Sequence, residues 1–343
     1  MRSQSERMYE LIRNALFKLE PERAHALALS LLAAAYRLRL VRDVRYADAN
    51  AVSHMGLRFP NRIGLAAGFD KNARHLDALG ALGFGFIEVG TVTPHAQSGH
   101  SLPRLFRMPG ASALINRMGF PNDGARAVAE RLSRRAFRGI VGISIGKNAA
   151  TPLATAVDDY VQCYRTLAEH ADYVAINVSS PNTKGLRELQ DAEQLRPILE
   201  ALLEEGHSLA TKLRRRVPLL TKVSPDAEDH DLAAIAQLLI LLGVDGVIAT
   251  NTTVTRGVNL EGEAARDEAG GLSGHPLHSL AVHAIRILKA ASQGRLTIMG
   301  VGGVMSPVDA AIMLDAGADL LQIYTGLVYR GPMLIDELLA MNG

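Results

Sequence analysis

Eight short polar motifs recur along the chain and hold most of the residues suited to chemistry: AAGFDK at 66–71, GTVTP at 90–94, SIGKN at 144–148, NVSSPNT at 177–183, TKVSPD at 221–226, ATNTT at 249–253, GVGG at 300–303 and YTG at 324–326. Lys71 and Lys222 are point cations able to stabilise charge on a reduced ring or an anionic substrate; the plain alternative for each is a surface ion pair. Asn116, Asn177, Asn182 and Asn251 each offer two donors and an acceptor, a set suited to a planar ring with alternating amide N–H and C=O groups, such as a pyrimidine. Any one of them serves equally well in a turn, so only the group argues for a ligand. Ser180 could accept a proton, but an unassisted hydroxyl is a poor base and needs a relay; otherwise it is a turn serine before Pro181. Gly302 and Gly303, with Thr325 and Gly326, supply small residues and backbone amides where a phosphate could sit. Asp70 and Asp226 are the acids in these motifs, no histidine joins them, and neither HExxH nor another metal-ligand spacing occurs. Metal-dependent hydrolysis is therefore set aside, and the chemistry falls to a cofactor that the protein positions.

Each motif ends a short apolar run. The runs at 62–67, 86–92, 140–145, 173–178, 219–223, 246–250, 297–301 and 320–324 read as strands, and 73–82, 154–170, 191–213, 228–242, 277–291 and 307–316 carry helical periodicity between them. Continuous apolar strands alternating with helices indicate a buried parallel sheet, and eight of them favour closure into an α/β TIM barrel, the (β/α)8 fold, over an open doubly wound sheet. Such barrels keep their active sites at the C-terminal strand ends, where these motifs lie. Two long connections, 93–138 and 254–275, leave the same end and read as lids or binding loops.

The charge distribution sets the first residues apart. Over 1–45 there are nine Lys/Arg and five acids, a local charge of +4 in a chain whose net charge is +2. Met8, Leu11, Ile12, Ala15, Leu16 and Leu19 fall on one helical face, and Pro21 opens a second helix, AHALALSLLAAAYRL. His25 and Ser30 interrupt its apolar stretch, which Arg37 ends, short of the roughly 20 residues of a membrane span. The pair is either a hairpin packed on the domain or a basic amphipathic module in the headgroup region of an anionic leaflet. The chain divides at 1–45 and 46–343. With 21% charged residues and no Lys/Arg stripe interleaved with aromatics, nucleic acid is not an expected partner. A single cysteine, Cys163, excludes an intramolecular disulfide and suits a reducing, cytosolic setting.

Taken in order, PERAH, NRIGLAAGFDK, GFIEVGTVTP, PRLFR, INRMGF, NVSSPNT, GVIATNTT, GGLSG, GVGG and IYTG resemble the class 2, quinone-dependent and membrane-associated dihydroorotate dehydrogenases over nearly the whole chain. The resemblance implies oxidation of dihydroorotate to orotate for pyrimidine synthesis, with FMN in the barrel mouth and ubiquinone or menaquinone reoxidising it. FMN contacts would come from Ala67, Gly68, Phe69, Asp70, Lys71, Thr91, Ser144, Asn177, Lys222, Thr250, Gly274, Gly303, Tyr324 and Thr325. Substrate would be held by Lys71, Asn116, Arg117, Met118, Gly119, Phe120, Asn177, Asn182, Asn251 and Thr252. Ser180 would take the C5 proton while the C6 hydride passes to the flavin, with Thr183 and Phe120 flanking a water relay. In the other class the base is a cysteine; here Cys163 is expected in a helix away from the mouth. The two N-terminal helices would form an apolar slot for the quinone, with His25 and Arg107 near its head, on a peripheral monomer at the cytoplasmic face of the inner membrane.

Two positions depart from that family: Ser144 stands where Asn is common, and Pro121 where Asn is usual, which stiffens the loop over the substrate. Three rivals stay open on the residues alone. One is a nicotinamide-using dihydropyrimidine or dihydrouridine reductase on the same barrel. Another is a non-redox lyase or isomerase of a phosphorylated metabolite, and the last is an inactive barrel carrying a protein-docking hairpin.

Overall fold

In the computed structural model, which describes residues 4–41, 50–257 and 260–342, two helices come first, α1 (Gln4–Leu16) and α2 (Pro21–Arg37). Pro21 stands in the first turn of α2, where its missing N–H costs no bond, and the Glu20 carboxylate accepts from the N–H groups of Glu22 and Arg23 at 3.0 and 2.9 Å. Thirteen strands follow: β1 (Val52–His54), β2 (Leu57–Phe59), β3 (Ile63–Leu65), β4 (Phe86–Val92), β5 (Leu105–Met108), β6 (Ala113–Asn116), β7 (Ile140–Ile145), β8 (Tyr173–Asn177), β9 (Leu219–Val223), β10 (Gly246–Ala249), β11 (Gly271–Gly274), β12 (Thr297–Val301) and β13 (Leu320–Ile323).

Eight of these close a parallel barrel in the order β3-β4-β7-β8-β9-β10-β12-β13, and they are the eight expected runs, trimmed at some ends. The strands are buried on both faces, which is why they read as unbroken apolar runs. Outward residues such as Ile87, Val141, Val174 and Leu321 pack against the helices, while Phe86, Leu220, Ile248, Met299 and Leu320 fill the interior. The β1–β2 hairpin plugs the N-terminal end: Phe59 is buried there and meets the Phe86 ring edge-on at 5.3 Å. Above that apolar layer lies a polar one, in which Glu88 Oε2 accepts from the Tyr173 hydroxyl at 2.9 Å and from Gln322 Nε2 at 2.8 Å.

The helices match the expected segments, with one shortening. The stretch 73–82 is helical only at Leu76–Gly80, because Ala73 adopts a left-handed conformation (φ 53°) that a helix cannot contain. Cys163 lies in the helix Ala156–Leu167, buried and away from the mouth, and burial raises its thiol pKa.

The two long connections are more ordered than the expected loops. They supply β5, β6 and β11, which pair as an antiparallel sheet in the order β11-β6-β5 over the C-terminal end of the barrel. Met108, Ala113, Ile115, Leu260 and Leu272 give this roof a small core of its own. The helix Ala125–Leu132 also lies within the first connection.

α1 docks by its polar and aromatic stripe. The Tyr9 hydroxyl donates to the carbonyls of Leu327 and Val328 at 3.0 and 2.9 Å, Arg13 donates to Tyr329 O, and Phe17 meets the Tyr329 ring edge-on. The expected apolar face is left outward: Met8, Leu11, Ile12 and Leu19 are 55%, 67%, 49% and 42% exposed, and Leu27, Leu31, Leu38 and Leu40 continue the surface. No helix among the described residues is long and apolar enough to cross a membrane. Of the basic residues counted in the N-terminal segment, Arg2, Arg42 and Arg45 lie outside the described residues, as does the boundary at 45.

Candidate active site

The C-terminal strand ends and the roof sheet enclose a cavity with about 1100 Å³ of empty space, its open mouth included. Of the expected site residues, Ala67, Gly68, Lys71, Thr91, Asn116, Met118, Gly119, Phe120, Asn177, Ser180, Asn182, Lys222, Thr250, Asn251, Thr252, Gly274, Gly303, Tyr324 and Thr325 line it together. The four asparagines stand as two pairs. Asn182 Nδ2 donates to Asn116 Oδ1 at 3.0 Å, and Asn251 Nδ2 donates to Asn177 Oδ1 at 3.2 Å. Asn177 Nδ2 donates to Thr91 Oγ1 at 2.8 Å, and Thr91 shares a further bond with the buried Ser144 hydroxyl at 2.9 Å. Ser144 therefore lies one residue behind the wall and holds Thr91 in place.

Lys222 is buried and Lys71 partly so, and loss of solvent is the main reason their pKa values fall: Lys71 drops to about 8, and Lys222 is lowered against the partial compensation of Glu88. Lys71 Nζ donates to Gly68 O at 2.8 Å. Neither lysine has a carboxylate within ion-pair distance among the described residues, so each leaves charge for a ligand to neutralise. On the opposite wall the backbone N–H groups of Gly303 and Val304 have no acceptor among the described residues. Gly303 is left-handed at φ 77°, a turn that glycine makes at no steric cost.

Ser180 is buried on the segment after β8, and its Oγ accepts from Asn182 N at 3.3 Å. Thr183 is buried on the same segment but outside the cavity lining. Phe120 closes the opposite side from a left-handed conformation, φ 52°, directly after Gly119 at φ 68°. Its loop is held by Asn122, whose Nδ2 donates to Phe120 O at 2.9 Å and Thr93 Oγ1 at 2.8 Å, just past the stiff Pro121. His100 bonds to Asn182 O at 2.6 Å across this gap.

Besides Ser144 and Thr183, five more of the expected residues stand outside the lining. Asp70 spends its carboxylate on the N–H groups of Arg74 and His75, at 3.0 and 2.7 Å, and so shapes the turn after β3. Arg117 turns outward to Glu268 at 2.6 Å and stacks over Phe106. Phe69 lies between the rings of His25 and Tyr324, with centroids at 4.8 and 5.2 Å. His25 Nε2 bonds to Phe69 O at 2.8 Å, so the neutral ring keeps its proton there; burial, reinforced by Lys71, lowers its pKa to about 4. Arg107 donates to the carbonyls of Phe17 and Leu19, at 3.2 and 2.8 Å, filling bonds that the end of α1 leaves open. Asp226, the other acid of the motifs, pairs with Arg187 at 2.9 Å and accepts from Val254 N.

The cavity also contains residues that sequence reasoning did not select. Leu105, Leu114 and Ser273 come from the roof sheet, with Ser273 Oγ bonded to Thr325 Oγ1 at 2.8 Å, and Gln322 comes from inside β13. The signal for Gln322 was a lone amide in an apolar strand; for Ser273 it was only its place in GGLSG. No group of three or more His, Cys, Asp or Glu able to hold a metal occurs among the described residues.

A closed barrel with buried cations, amide donors and free backbone N–H groups converging under a roof is the active-site end of a (β/α)8 enzyme that works through a bound cofactor. The family model for dihydroorotate dehydrogenase matches residues 50–340, and the chain belongs to that family. It is 50% identical over 331 residues to the dihydroorotate dehydrogenase (quinone) of Chromobacterium violaceum, covering 96% of each chain. The enzyme of that name from Pseudomonas fluorescens is also 50% identical, over 96% of this chain and 97% of its own. Among solved structures, an Eimeria tenella DHODH in complex with ferulenol superposes with a TM-score of 0.87 at 35% identity, covering 93% of this chain and 90% of that one.

Proposed function

We propose that the chain oxidises dihydroorotate to orotate in pyrimidine biosynthesis, with FMN as resident cofactor and ubiquinone or menaquinone as final acceptor. The observation that carries this reading is the convergence of Ser180, two asparagine pairs and two lysines in one cavity. The residues fit FMN: among the described residues Gly303 and Val304 offer unused N–H groups for its phosphate, Thr325 and Ser273 offer hydroxyls, and Lys222 is a buried cation without a carboxylate at ion-pair distance. When bound, FMN supplies the hydride acceptor and the electrons for the quinone. Ala67, Gly68, Lys71, Thr91, Asn177, Thr250, Gly274 and Tyr324 would complete its site, with Phe69, Asp70 and Ser144 supporting from behind.

Asn116, Asn177, Asn182, Asn251 and Thr252 would hold the amide edges of the pyrimidine, and Lys71 its negative charge, with Met118, Gly119 and Phe120 closing over it and Arg117 anchoring that loop. Ser180 then takes the C5 proton as general base. Its own proton leaves by a water relay that Thr183 and Phe120 flank, since no side-chain base adjoins Ser180 among the described residues.

Residues 1–45 serve as a membrane and quinone-access module and 46–343 as the barrel. A helix pair that turns its polar stripe to the protein and its leucines outward suits an interfacial position, with the monomer held peripherally on the cytoplasmic face of the inner membrane. The quinone would approach between α2 and β5, where His25 and Phe69 lead to Tyr324, and Arg107 fixes the turn that ends α1.

An anaerobic titration of the purified, detergent-supplemented protein with dihydroorotate, followed through the flavin spectrum, tests the reading. Bleaching, then recovery on adding a ubiquinone analogue but not fumarate or oxidised nicotinamide, is the expected result. Recovery only with fumarate or nicotinamide would leave the first half-reaction standing and overturn the role given to the N-terminal helices.

A further inference from the structure

A second cavity, with about 970 Å³ of empty space open to solvent, lies where the C-terminal half of α2 meets the barrel. Its charged wall is almost entirely guanidinium: Arg37 from the last turn of α2, Arg74 from the turn after β3, and Arg131, Arg134 and Arg135 from the end of the helix Ala125–Leu132 and the turn beyond it. Internal acids cover this charge only partly. Arg74 and Arg131 share one carboxylate, Asp123, at 2.7 Å each. Arg135 reaches Asp172 only at 3.8 Å, and Arg134 holds Glu130 across an exposed helix turn. Arg37 has no ion pair among the described residues, and Asp77, the one acid in the lining, spends an oxygen on the N–H groups of Ala136 and Phe137.

Guanidinium groups present planar forks that match phosphate oxygens two at a time, so the chemistry of this wall is that of a phosphate site. Its position selects the source. Leu31, Leu38 and Leu40, at 58%, 70% and 76% exposure, lie on α2 or just beyond its end, on either side of Arg37 in sequence, and continue the exposed apolar residues of the helix pair. Leucines that enter an acyl layer beside arginines that stop at its edge match the profile of a phospholipid leaflet.

We infer that this cavity binds the phosphate of an anionic phospholipid headgroup and fixes how the enzyme sits on its membrane. The inference rests on the membrane association proposed above. It gives the protein two attachments of different kind: leucines that enter the acyl layer regardless of headgroup, and an arginine pocket that selects anionic lipid.

The test compares sedimentation of the full-length, flavin-loaded protein with phosphatidylcholine vesicles and with vesicles that also contain phosphatidylglycerol. The wild-type protein is expected to bind both, the anionic vesicles roughly an order of magnitude more tightly at low salt. Arg37→Gln combined with Arg134→Gln should abolish that preference while keeping phosphatidylcholine binding and flavin content. Removing the same charge from two other barrel helices, as Arg196→Gln with Arg286→Gln, should leave the preference in place. A preference that survives loss of Arg37 and Arg134, or that falls equally in the control, overturns the site while the membrane reading stands. Wild-type protein that binds neither vesicle overturns both. Inorganic phosphate that erases the preference at matched ionic strength assigns the pocket to a soluble anion and overturns the lipid assignment.

Discussion

Asn182 Nδ2 donates to Asn116 Oδ1 at 3.0 Å, fastening the segment that carries Ser180 to the last residue of β6 in the roof sheet. The proposed base is thus held against the roof by the same amides proposed to face the substrate. Asn116→Ala and Asn182→Ala should each raise KM for dihydroorotate about tenfold or more, because each removes a ligand contact and leaves the other amide underbonded. The double variant should lose less than the sum of the two, a coupling that steady-state kinetics on flavin-loaded protein would measure.

Ser180→Ala should lower kcat by about 10²–10⁴-fold while flavin content stays unchanged, since the Ser180 hydroxyl is bonded to Asn182 N and not to the wall of Gly303, Val304 and Thr325 proposed to hold the phosphate. Ser180→Cys should retain part of the rate, because a thiol ionises far more readily than a hydroxyl and so supplies some thiolate to accept the proton. Single-turnover bleaching of the flavin separates this chemical step from binding. Unchanged bleaching in the alanine variant would remove Ser180 from the role of base.

The barrel was legible in the sequence because its cause is simple: a strand buried on both faces must be apolar throughout, and each such run ends in a burst of Gly, Asn, Thr and Lys. The roof sheet was not legible. LFRM and ALIN are four residues each and GLSG is half glycine, so neither length nor alternation separates them from loop; LFRM and ALIN become strands by pairing with each other, and GLSG joins them only by pairing with ALIN across more than 150 residues. Residue type picked out the asparagines, the lysines and Ser180 that line the cavity, but not the direction of every neighbour. Asp70 and Arg117 sit inside motifs of the right composition, and their charges are spent on nearby backbone N–H groups and on Glu268. The apolar face of α1 was read correctly as a face, yet the sequence left open which way it turned; the bonds of Tyr9 and Arg13 decide that.

His25 sets a pH dependence of stability. Its folded pKa of about 4 lies below the ordinary 6.5, chiefly through burial, so its contribution is complete above pH 6.5 and is lost as pH falls towards 4, where the unfolded chain binds the proton first. Between pH 7 and pH 5 this amounts to about 2 kcal/mol. Urea unfolding at those two pH values should show His25→Gln losing less stability than the wild-type protein over that interval. Equal losses in both would mean that the ring titrates near its ordinary value.

The outward leucines of α1 and α2 form a run of exposed apolar side chains at the N-terminal helix pair, and their removal should separate the two half-reactions. Leu11→Glu with Leu31→Glu leaves Tyr9, Arg13 and Phe17 to hold α1 on the barrel, so the fold and the dihydroorotate-dependent bleaching should persist. Burying a carboxylate in the acyl layer is strongly unfavourable, and vesicle binding should fall accordingly. Turnover with a long-chain quinone in vesicles should drop about tenfold or more, whereas turnover with a short, water-soluble quinone analogue should not change. Parallel loss with both acceptors would point to a damaged barrel mouth, and full activity with both would show that the quinone reaches the flavin by a route that does not involve these helices.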